Sequence, residues 1–504
     1  MLEERIRNAA VRARVTDADE VQAWIRDGMT VGVSGFTKSG DAKAVLKALV
    51  RRVERTGERL RIRLLSGASL GEVDGLLAAH DLVDLRSPYQ GDATLRRIIN
   101  GGEVGYIDQH LSEMAEWVRA GWWGEIDLAI IEAAAITEDG GIIPTTSVGN
   151  SPVFVERAKR VIVEINPDIP AEFEGLHDIY LPEQRPNRGP IPLVDVGDRI
   201  GTPYIPCPPE KIAAVVVSQE RDTPSNLTRP DEETEQMAGY ILEFLQHEVR
   251  RGRLPAGFGP LQSGVGSVAN AVLAGLKSAP VRDLEVYTEV MQDAVFELLD
   301  AGVVRAASSC SFTLSESMRQ HVLANFRDYK DRVVLRPQEI SNHPEVVRRL
   351  GVIAINAALE VDVYGNVNST HVQGTHMMNG LGGSGDFARQ AALSIFVTKS
   401  IAKEGRISCV VPFVAHVDHT EHDVDVLVTE RGLVDLRGLP PRARAKAIVD
   451  HLAHPDYRDA LRDYVRRASA RGGNTPHLLE EAFGWHVRYR ETGDMRPRVA
   501  MLAD

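Results

Sequence analysis

Cysteine is scarce in this sequence. Only three occur among 504 residues, at Cys207, Cys310 and Cys409, and they lie about a hundred residues apart. None of them forms a C-x-x-C pair, so no disulfide framework is predicted. Cys409 falls in an apparent buried strand, where thiols are usually inert. Cys310 has more polar surroundings but no histidine near it in sequence, which leaves it a weak candidate nucleophile.

Long hydrophobic runs are also missing. No stretch of 18 apolar residues occurs, so no transmembrane helix is expected. The first residues, MLEERIRNAAVRARV, mix both charges and lack the apolar segment of a secretory signal. We therefore expect a cytoplasmic protein that has no membrane partner.

Positive charge is not in excess. The 58 Lys and Arg residues are outnumbered by 71 Asp and Glu, and the net charge is −13. This balance disfavours nucleic acid or an anionic membrane as the main partner. A phosphate-bearing ligand is compatible with it, because backbone N–H groups at a glycine-rich turn bind phosphate whatever the overall charge. The basic stretch 51–63 includes Glu54 and Glu58 and has no aromatic residue, so it predicts a solvated surface.

Short β-branched runs alternate with helix-period segments along most of the chain. This alternation predicts an α/β protein with largely parallel sheets. Turn residues and charges cluster at 220–234, so we place a domain boundary there, which gives domains 1–222 and 223–504. The predicted strands are 30–36, 61–67, 126–136, 160–166, 213–219, 284–289, 352–363, 406–414 and 424–429, and the predicted helices are 41–54, 110–121, 233–251 and 291–301.

Two glycine-rich loops are candidate ligand sites. Gly264 and Gly266 precede Ser267, a good N-cap, and with Ala269 they fit G-x-G-x-x-A, a dinucleotide pattern. That pattern requires a strand directly before the first glycine, and GRLPAGFGPLQ, with two prolines, does not predict one; a phosphate loop and a plain structural turn both stay open. The second loop has four glycines in 380–385, before a helix capped by Ser384 or Asp386. Its N–H groups suit an oxyanion, and a tight connection explains the glycines equally well.

Three histidines at regular spacing suggest a metal site at first sight. His416, His419 and His422 alternate with acids in AHVDHTEHDVD. The flanking segments predict strands, and a loop rich in His and Asp satisfies its own turn without an ion, so we do not predict a metal here. We also do not predict a serine hydrolase of the α/β-hydrolase type.

Glu289 is the most ambiguous acid in the sequence. It follows Thr288 in YTEVMQD, where it fits the first turn of a helix as a charge that favours the helix dipole. It also falls at the carboxyl end of a predicted strand, which is where open α/β sheets bind ligands. The residues alone leave both interpretations open.

Long motifs in both halves resemble the acetyl-CoA hydrolase/transferase family, and most of all its succinyl-CoA:acetate CoA-transferase branch. They are YQGDATLRRIINGGEVGYIDQHLS, IEAAAITEDGGIIPTTSVGNSP, QSGVGSVANAVLAGL, YTEVMQDAVFELLDAG, SNHPEVVRRLG, GGSGDFARQAALSIFVT and HVDHTEHDVDVLVTERG. The resemblance covers nearly the whole chain. It implies two CoA-transferase-type α/β domains with the active site in the cleft between them, a homodimer, and no catalytic ion at the histidine-rich stretch.

The resemblance also implies a mechanism and a set of residues. Glu289 would attack an acyl-CoA thioester to give an acyl-glutamyl anhydride and then a glutamyl-CoA thioester, and a helix entrance would keep it ionised. Asn342 and the backbone N–H of Gly383 would stabilise the oxyanion, and Glu430 would orient or shield Glu289. No cofactor would be tightly bound, with CoA a substrate that lies along Gly264, Val265, Gly266, Ser267, Val268, Asn379, Gly383 and Lys403.

Several functions stay open at this point. The expected substrates are acyl-CoA and small carboxylic acids, most simply succinyl-CoA and acetate. An acetyl-CoA hydrolase would differ only in admitting water to the glutamyl thioester, and propionyl-CoA:succinate or 4-hydroxybutyrate CoA transfer are further alternatives. From other classes, a nucleotide-binding or sugar-phosphate-binding regulator would use the glycine loops without covalent chemistry, and a dinucleotide-dependent oxidoreductase is disfavoured by the missing strand before Gly264.

Overall fold

The computed structural model describes residues 2–225, 230–264, 266–277 and 279–496. Val265, one of the residues predicted to contact CoA, lies outside these ranges. Within them, no helix is both long enough and apolar enough to cross a bilayer.

The first half of the chain forms a seven-stranded sheet in which every neighbouring pair is parallel. Its strands are β1 (Thr30–Val33), β2 (Ile62–Leu65), β3 (Val83–Ser87), β4 (Gly105–Tyr106), β5 (Ile126–Ala133), β6 (Ala158–Ile165) and β7 (Ile212–Val217). They are ordered β4-β3-β2-β1-β5-β6-β7. The near-continuous apolar composition of β5 and β6 follows from burial on both faces of a parallel sheet.

The second half forms an eight-stranded sheet with the same plan. Its strands are β8 (Leu261–Ser263), β9 (Leu284–Tyr287), β10 (Val304–Ser309), β11 (Val333–Leu335), β12 (Ile353–Ala357), β13 (Leu393–Val397), β14 (Val426–Thr429) and β15 (Gly432–Asp435). The order is β11-β10-β9-β8-β12-β13-β14-β15, and only the last pair is antiparallel. Apart from β15, this order repeats that of the first sheet, so the two halves share one topology.

Helices and small strands complete the two halves. The α-helices are Leu2–Arg5, Ala9–Arg12, Ala18–Val21, Ala44–Thr56, Gly71–Ala79, Ala93–Asn100, Met114–Arg119, Ser151–Arg157, Glu232–Arg250, Ser267–Leu276, Asp293–Asp300, Glu316–Ala324, Phe326–Tyr329, Gln338–Ser341, Pro344–Leu350, Ser384–Ala388, Pro441–His451, Pro455–Ala470 and Gly484–Thr492. The short strands are Ala135–Ile136, Ile142–Ile143, Val290–Met291, Ser311–Phe312, Glu360–Asp362, Val367–Asn368, His371–Val372, His376–Met377, Ile401–Ala402, Ile407–Ser408 and Val410–Val411.

The predicted α/β class with mainly parallel sheets is confirmed, and the differences concern element bounds. The strand predicted at 406–414 is two short strands, because the chain bends between them at Cys409. The helix predicted at 110–121 is a 3-10 turn, Leu111–Glu113, followed by a short α-helix, Met114–Arg119. The first sheet ends at Val217 and the second begins at Leu261, and the boundary between 222 and 223 stays a prediction.

The two halves are joined by buried ion pairs and by a shared core. Arg119 of the first half donates both terminal N–H groups to Glu339 of the second, at 2.5 and 2.7 Å. Phe173 stacks on Phe326 with ring centroids 4.5 Å apart, within a hydrophobic cluster drawn from both halves. These contacts fix the carboxyl ends of the two sheets opposite each other, which positions the site described next.

Candidate active site

Glu289 lies just beyond the carboxyl end of β9. The chain does not enter a helix there, because Val290–Met291 pairs in parallel with Ser311–Phe312 and keeps the backbone extended. The following helix begins only at Asp293, with Gln292 before it. The interpretation of Glu289 as a first-turn helix acid is therefore wrong, and so is the expectation that a helix entrance keeps it ionised.

Two donors hold the Glu289 carboxylate. The side-chain amide of Asn342 donates from Nδ2 to Oε2 at 3.0 Å, and the backbone N–H of Gly383 donates to the same carboxylate. Asn342 is fully buried at the end of the helix Gln338–Ser341. A methyl group on Gly383 would lie 1.6 Å from Oε2, so only glycine allows this close approach. Glu289, Asn342 and Gly383, which the resemblance grouped together, are brought together by the structure.

The environment of Glu289 favours its neutral form. Burial raises the pKa of its carboxyl to about 7, and the nearby Asp386 carboxylate adds to the rise. The hydrogen bonds from Asn342 and Gly383 lower the pKa and only partly offset burial. A group with a pKa near 7 is divided between the ionised and neutral forms at neutral pH, and its ionised form is poorly solvated, which suits a nucleophile.

A cavity of about 250 Å³ opens in front of Glu289. On one side it is lined by Ser263 at the end of β8 and Gly264 after it, by Glu289 after β9 and by 356–359 at the end of β12. This is the point where the strand order of the second sheet reverses, the usual ligand position in open α/β sheets. On the other side it is lined by Thr37, Ala68 and Tyr89, which follow β1, β2 and β3 of the first half. The predicted cleft between the halves is at this place.

A second cavity, of about 230 Å³, adjoins the first and is lined by the first glycine loop. The two share Gly264 and residues 356–358 in their linings, so Gly264 stands at the border between them. Its lining includes Gly264, Gly266, Ser267 and Val268, as predicted for CoA. It also includes Lys399, which sequence reasoning missed; this lysine stands four residues before Lys403 and the two could not be distinguished by sequence.

The first glycine loop differs from prediction in two respects. Strand β8 directly precedes Gly264 and lies in the middle of the second sheet, so the objection that no strand stands there is wrong. The strand escaped detection because it has only three residues and follows Pro260 closely. The residue that caps the helix Ser267–Leu276 is Gly266, with φ at +151°, and not Ser267.

Two predicted residues are not found at the cavities. The carboxylate of Glu430 accepts from the backbone N–H of Ser400 at 2.8 Å and from Arg431 Nε at 3.0 Å, and no contact with Glu289 is present among the described residues. The expectation that Glu430 orients Glu289 directly is therefore not met. Lys403 lies exposed in the turn after Ile401–Ala402 and lines neither cavity. Asn379, by contrast, lines the first cavity and is hydrogen-bonded to Tyr89.

The histidine-rich loop and Cys310 are packed as structural parts of the fold and not as reactive groups. His416 stacks on His371 with ring centroids 3.8 Å apart, while His419 is buried against Phe396. In the described ranges, no three His, Cys, Asp or Glu side chains form a group that could hold a metal ion.

Burial raises the pKa of the Cys310 thiol well above its usual range, and its Sγ donates to the Glu289 carbonyl oxygen at 3.1 Å. A thiol in this state is a poor nucleophile.

Fold and site together define a CoA-transferase-type α/β protein. The N-terminal domain model of the acetyl-CoA hydrolase/transferase family matches residues 1–217, and the C-terminal domain model matches residues 320–465. The chain belongs to the acetyl-CoA hydrolase/transferase family.

Similar proteins of known activity cover almost the whole chain. A succinyl-CoA:acetate CoA-transferase of Clostridium kluyveri is 49% identical, over 98% of this chain and 92% of its own length. A propanoyl-CoA:succinate CoA transferase of Escherichia coli is 45% identical over 95% and 98%, and an acetyl-CoA hydrolase of Schizosaccharomyces pombe is 44% identical over 98% and 99%.

Solved structures share the fold at lower identity. RipA from Yersinia pestis superposes with a TM-score of 0.70 at 23% identity, over 91% of this chain and 98% of its own. The 4-hydroxybutyrate CoA-transferase from Porphyromonas gingivalis has a TM-score of 0.63 at 22% identity, over 90% and 98%. These likenesses show the architecture and carry no conclusion about substrate.

Proposed function

We propose that this protein is a CoA-transferase that moves CoA between short-chain acyl-CoA and a carboxylate, with succinyl-CoA and acetate as the pair, through covalent intermediates on Glu289. One observation carries the proposal. A buried carboxylate held by Asn342 and the Gly383 N–H faces a cavity between the halves, and that cavity is also lined by Gly264 of the first glycine loop. The family membership and the 49% identical succinyl-CoA:acetate CoA-transferase support the same activity.

The first step uses the free electron pair of the ionised carboxylate. A Glu289 oxygen attacks the thioester carbonyl carbon, the C–S bond breaks, and the CoA thiolate leaves an acyl-glutamyl anhydride. The thiolate then attacks the glutamyl carbonyl carbon and expels the acyl group as a free carboxylate. Negative charge develops on the glutamyl oxygen, and Asn342 and Gly383 already donate to the Glu289 carboxylate in the free protein. The acceptor carboxylate runs these steps in reverse.

Water is the alternative acceptor. If water attacks the glutamyl-CoA thioester, the same residues perform acetyl-CoA hydrolysis, and the 44% identical relative from Schizosaccharomyces pombe supports keeping this as a second function. The 45% identical relative from Escherichia coli similarly supports propanoyl-CoA and succinate as an alternative pair. A nucleotide-binding regulator without covalent chemistry predicts that Glu289→Ala leaves ligand binding and function intact. The homodimer and the cytoplasmic location stay predictions.

Peptide mass spectrometry tests the covalent route. The protein is incubated with acetyl-CoA, with and without succinate, and borohydride is added to reduce any enzyme–CoA thioester. We expect a mass change that is confined to the peptide carrying Glu289 and that depends on acyl-CoA. Glu285→Gln is the matched control, since Glu285 pairs with Arg305 and lines neither cavity, and it should keep the change that Glu289→Gln abolishes.

Two outcomes decide between the alternatives. Release of acetate without succinate, together with the adduct, would favour the hydrolase. Thioester consumption without any change at Glu289 would exclude the nucleophile and point to direct hydrolysis.

A further inference from the structure

The geometry points to Asp386 as a positioning residue for the reaction: its carboxylate fixes the Asn342 amide against Glu289 and couples that amide to the first half of the chain. This inference rests on the proposed function, because it concerns how the oxyanion donor is held during the covalent steps. Asp386 lies in the helix Ser384–Ala388, three residues beyond Gly383, and is 3% exposed.

Asn342 places its amide nitrogen between two carboxylates. Its Nδ2 is 3.0 Å from Glu289 Oε2 and 3.5 Å from Asp386 Oδ2. An amide nitrogen carries two protons, so it donates to both acceptors at once. The amide oxygen, Oδ1, is buried and has no hydrogen-bond partner among the described residues. No donor therefore holds the oxygen end, and the orientation of the amide depends on the two carboxylates around its nitrogen.

The first half of the chain holds Asp386 in turn. The backbone N–H of Ser112 donates to Oδ2 at 3.0 Å, and its hydroxyl donates to Oδ1 at 2.6 Å. His110 Nδ1 lies 3.6 Å from Oδ1 and has no hydrogen-bond partner of its own in the described structure. Asp386 thus connects residues after β4 to an amide and a nucleophile of the other half.

The need for this second acceptor changes during the reaction. In the free protein, ionised Glu289 is a strong acceptor and the nearer of the two carboxylates that orient the amide. Once Glu289 is an anhydride or a thioester, its carbonyl oxygen is a neutral and weaker acceptor. Asp386 is then the remaining charged group that keeps Nδ2, rather than Oδ1, facing the oxygen on which negative charge develops. Its contribution is therefore largest in the covalent intermediates.

The charge of Asp386 also acts on Glu289. Like charge disfavours ionisation, and Asp386 is among the causes that raise the pKa of Glu289. The other groups that face Glu289 are the Asn342 amide, the Gly383 N–H, the Tyr89 hydroxyl and the Cys310 thiol, none of which is charged at neutral pH. Asp386 itself is faced by His110 and Ser112.

Asp386→Asn tests the inference in the full-length protein, with Asp293→Asn as matched control. Asp293 is buried and accepts from the backbone N–H and hydroxyl of Ser315, the pattern that Asp386 makes with Ser112, and it lines neither cavity. The readouts are kcat and the pH profile of kcat/KM for CoA transfer from succinyl-CoA to acetate, with the glutamyl-CoA adduct followed by mass spectrometry. A second variant, Ser112→Ala, keeps the charge of Asp386 and removes one of its bonds.

For Asp386→Asn we expect kcat to fall about tenfold or more, because the oxyanion donor is no longer held. We also expect the acid limb of kcat/KM to move to lower pH, because removing the like charge lowers the pKa of Glu289. Ser112→Ala should lower kcat without moving the acid limb, and Asp293→Asn should do neither.

If the wild type forms the adduct while Asp386→Asn and Asp293→Asn behave alike, the inference is overturned and the proposed function stands. If Asp386→Asn does not fold, Ser112→Ala decides: a kcat equal to that of the wild type overturns the inference. A wild type that forms no adduct overturns the proposed function itself.

Discussion

Replacing Gly383 with alanine should abolish most of the catalytic activity, although no functional side chain of the site is removed. The added methyl group would lie 1.6 Å from Glu289 Oε2 and 2.5 Å from Asn342 Nδ2. Contacts under 3.0 Å are essentially not tolerated, so the carboxylate must retreat by about 1.4 Å. The backbone of Gly383 has φ at −81°, a conformation that alanine adopts freely, so the effect is one of space and not of backbone strain.

The expected loss follows from two contributions. A displacement of about 1 Å at a reacting group costs about a hundredfold in rate. Losing an oxyanion donor costs about 10²- to 10³-fold in kcat. Since the same movement causes both, we expect a fall of about a thousandfold in kcat, or about 4 kcal/mol in the barrier. The assay is CoA transfer from succinyl-CoA to acetate, measured beside urea unfolding.

The matched control is Gly239→Ala. Gly239 lies exposed in the helix Glu232–Arg250, and no atom would lie within 4 Å of the added methyl. This change should leave kcat unaltered and stabilise the helix slightly. A Gly383→Ala protein that is folded and keeps kcat within about threefold of the wild type would refute the argument that this glycine is required by space around Glu289.

Three further predictions concern charge. Because Glu289 must be ionised to attack and its pKa is about 7, kcat/KM should fall as pH decreases below 7, which a pH–rate profile of the wild type will show. The raised pKa of Glu289 means that the folded state binds this proton more tightly than the unfolded state between about pH 4.5 and 7, so the free energy of unfolding falls as pH rises through that range. In urea unfolding, Glu289→Gln should therefore be as stable as the wild type at pH 4. At pH 8 it should be more stable by up to about 3 kcal/mol, and by less where solvent screens the carboxylate. Lys399→Ala should raise KM for acyl-CoA severalfold and Lys403→Ala should leave it unchanged, and the reverse result would show that Lys403 is the cation that CoA meets.

The sequence predicted the architecture well because its strands are buried in parallel sheets, where β-branched runs are long and clear. Strand β8 escaped because three residues after a proline carry too little periodicity to detect, although that strand lies at the centre of its sheet. Glu289, Asn342 and Gly383 are 53 and 41 residues apart in sequence, and spacing alone cannot show that they meet. Only the family resemblance grouped them.

Asp386 shows a different limit of sequence reasoning. The sequence predicts Asp386 only as a helix cap, since a cap depends on neighbours in sequence, but the cap is Gly383 and Asp386 lies inside the helix. Its contact with Ser112 crosses between the halves, and its contact with Asn342 joins residues 44 positions apart, so no local pattern contains them. Lys399 and Lys403 illustrate the same point. Both are lysines, but Lys399 lines the cavity and Lys403 lies in the turn that follows, and residue type alone does not distinguish them.

Because the two halves share one strand order, the position that Glu289 occupies has an equivalent in the first half, and the two positions differ. Glu289 stands two residues past the end of β9, the second strand of its sheet, and Gly67 stands two residues past the end of β2, the second strand of the other. A side chain at Gly67 would begin 2.6 Å from the Gly35 carbonyl oxygen and 2.8 Å from the Phe36 ring, so this place has no room for a carboxylate. In the proposed mechanism, the pseudo-repeated fold therefore supplies its nucleophile from the second sheet, and the equivalent position of the first sheet, Gly67, is closed to a carboxylate.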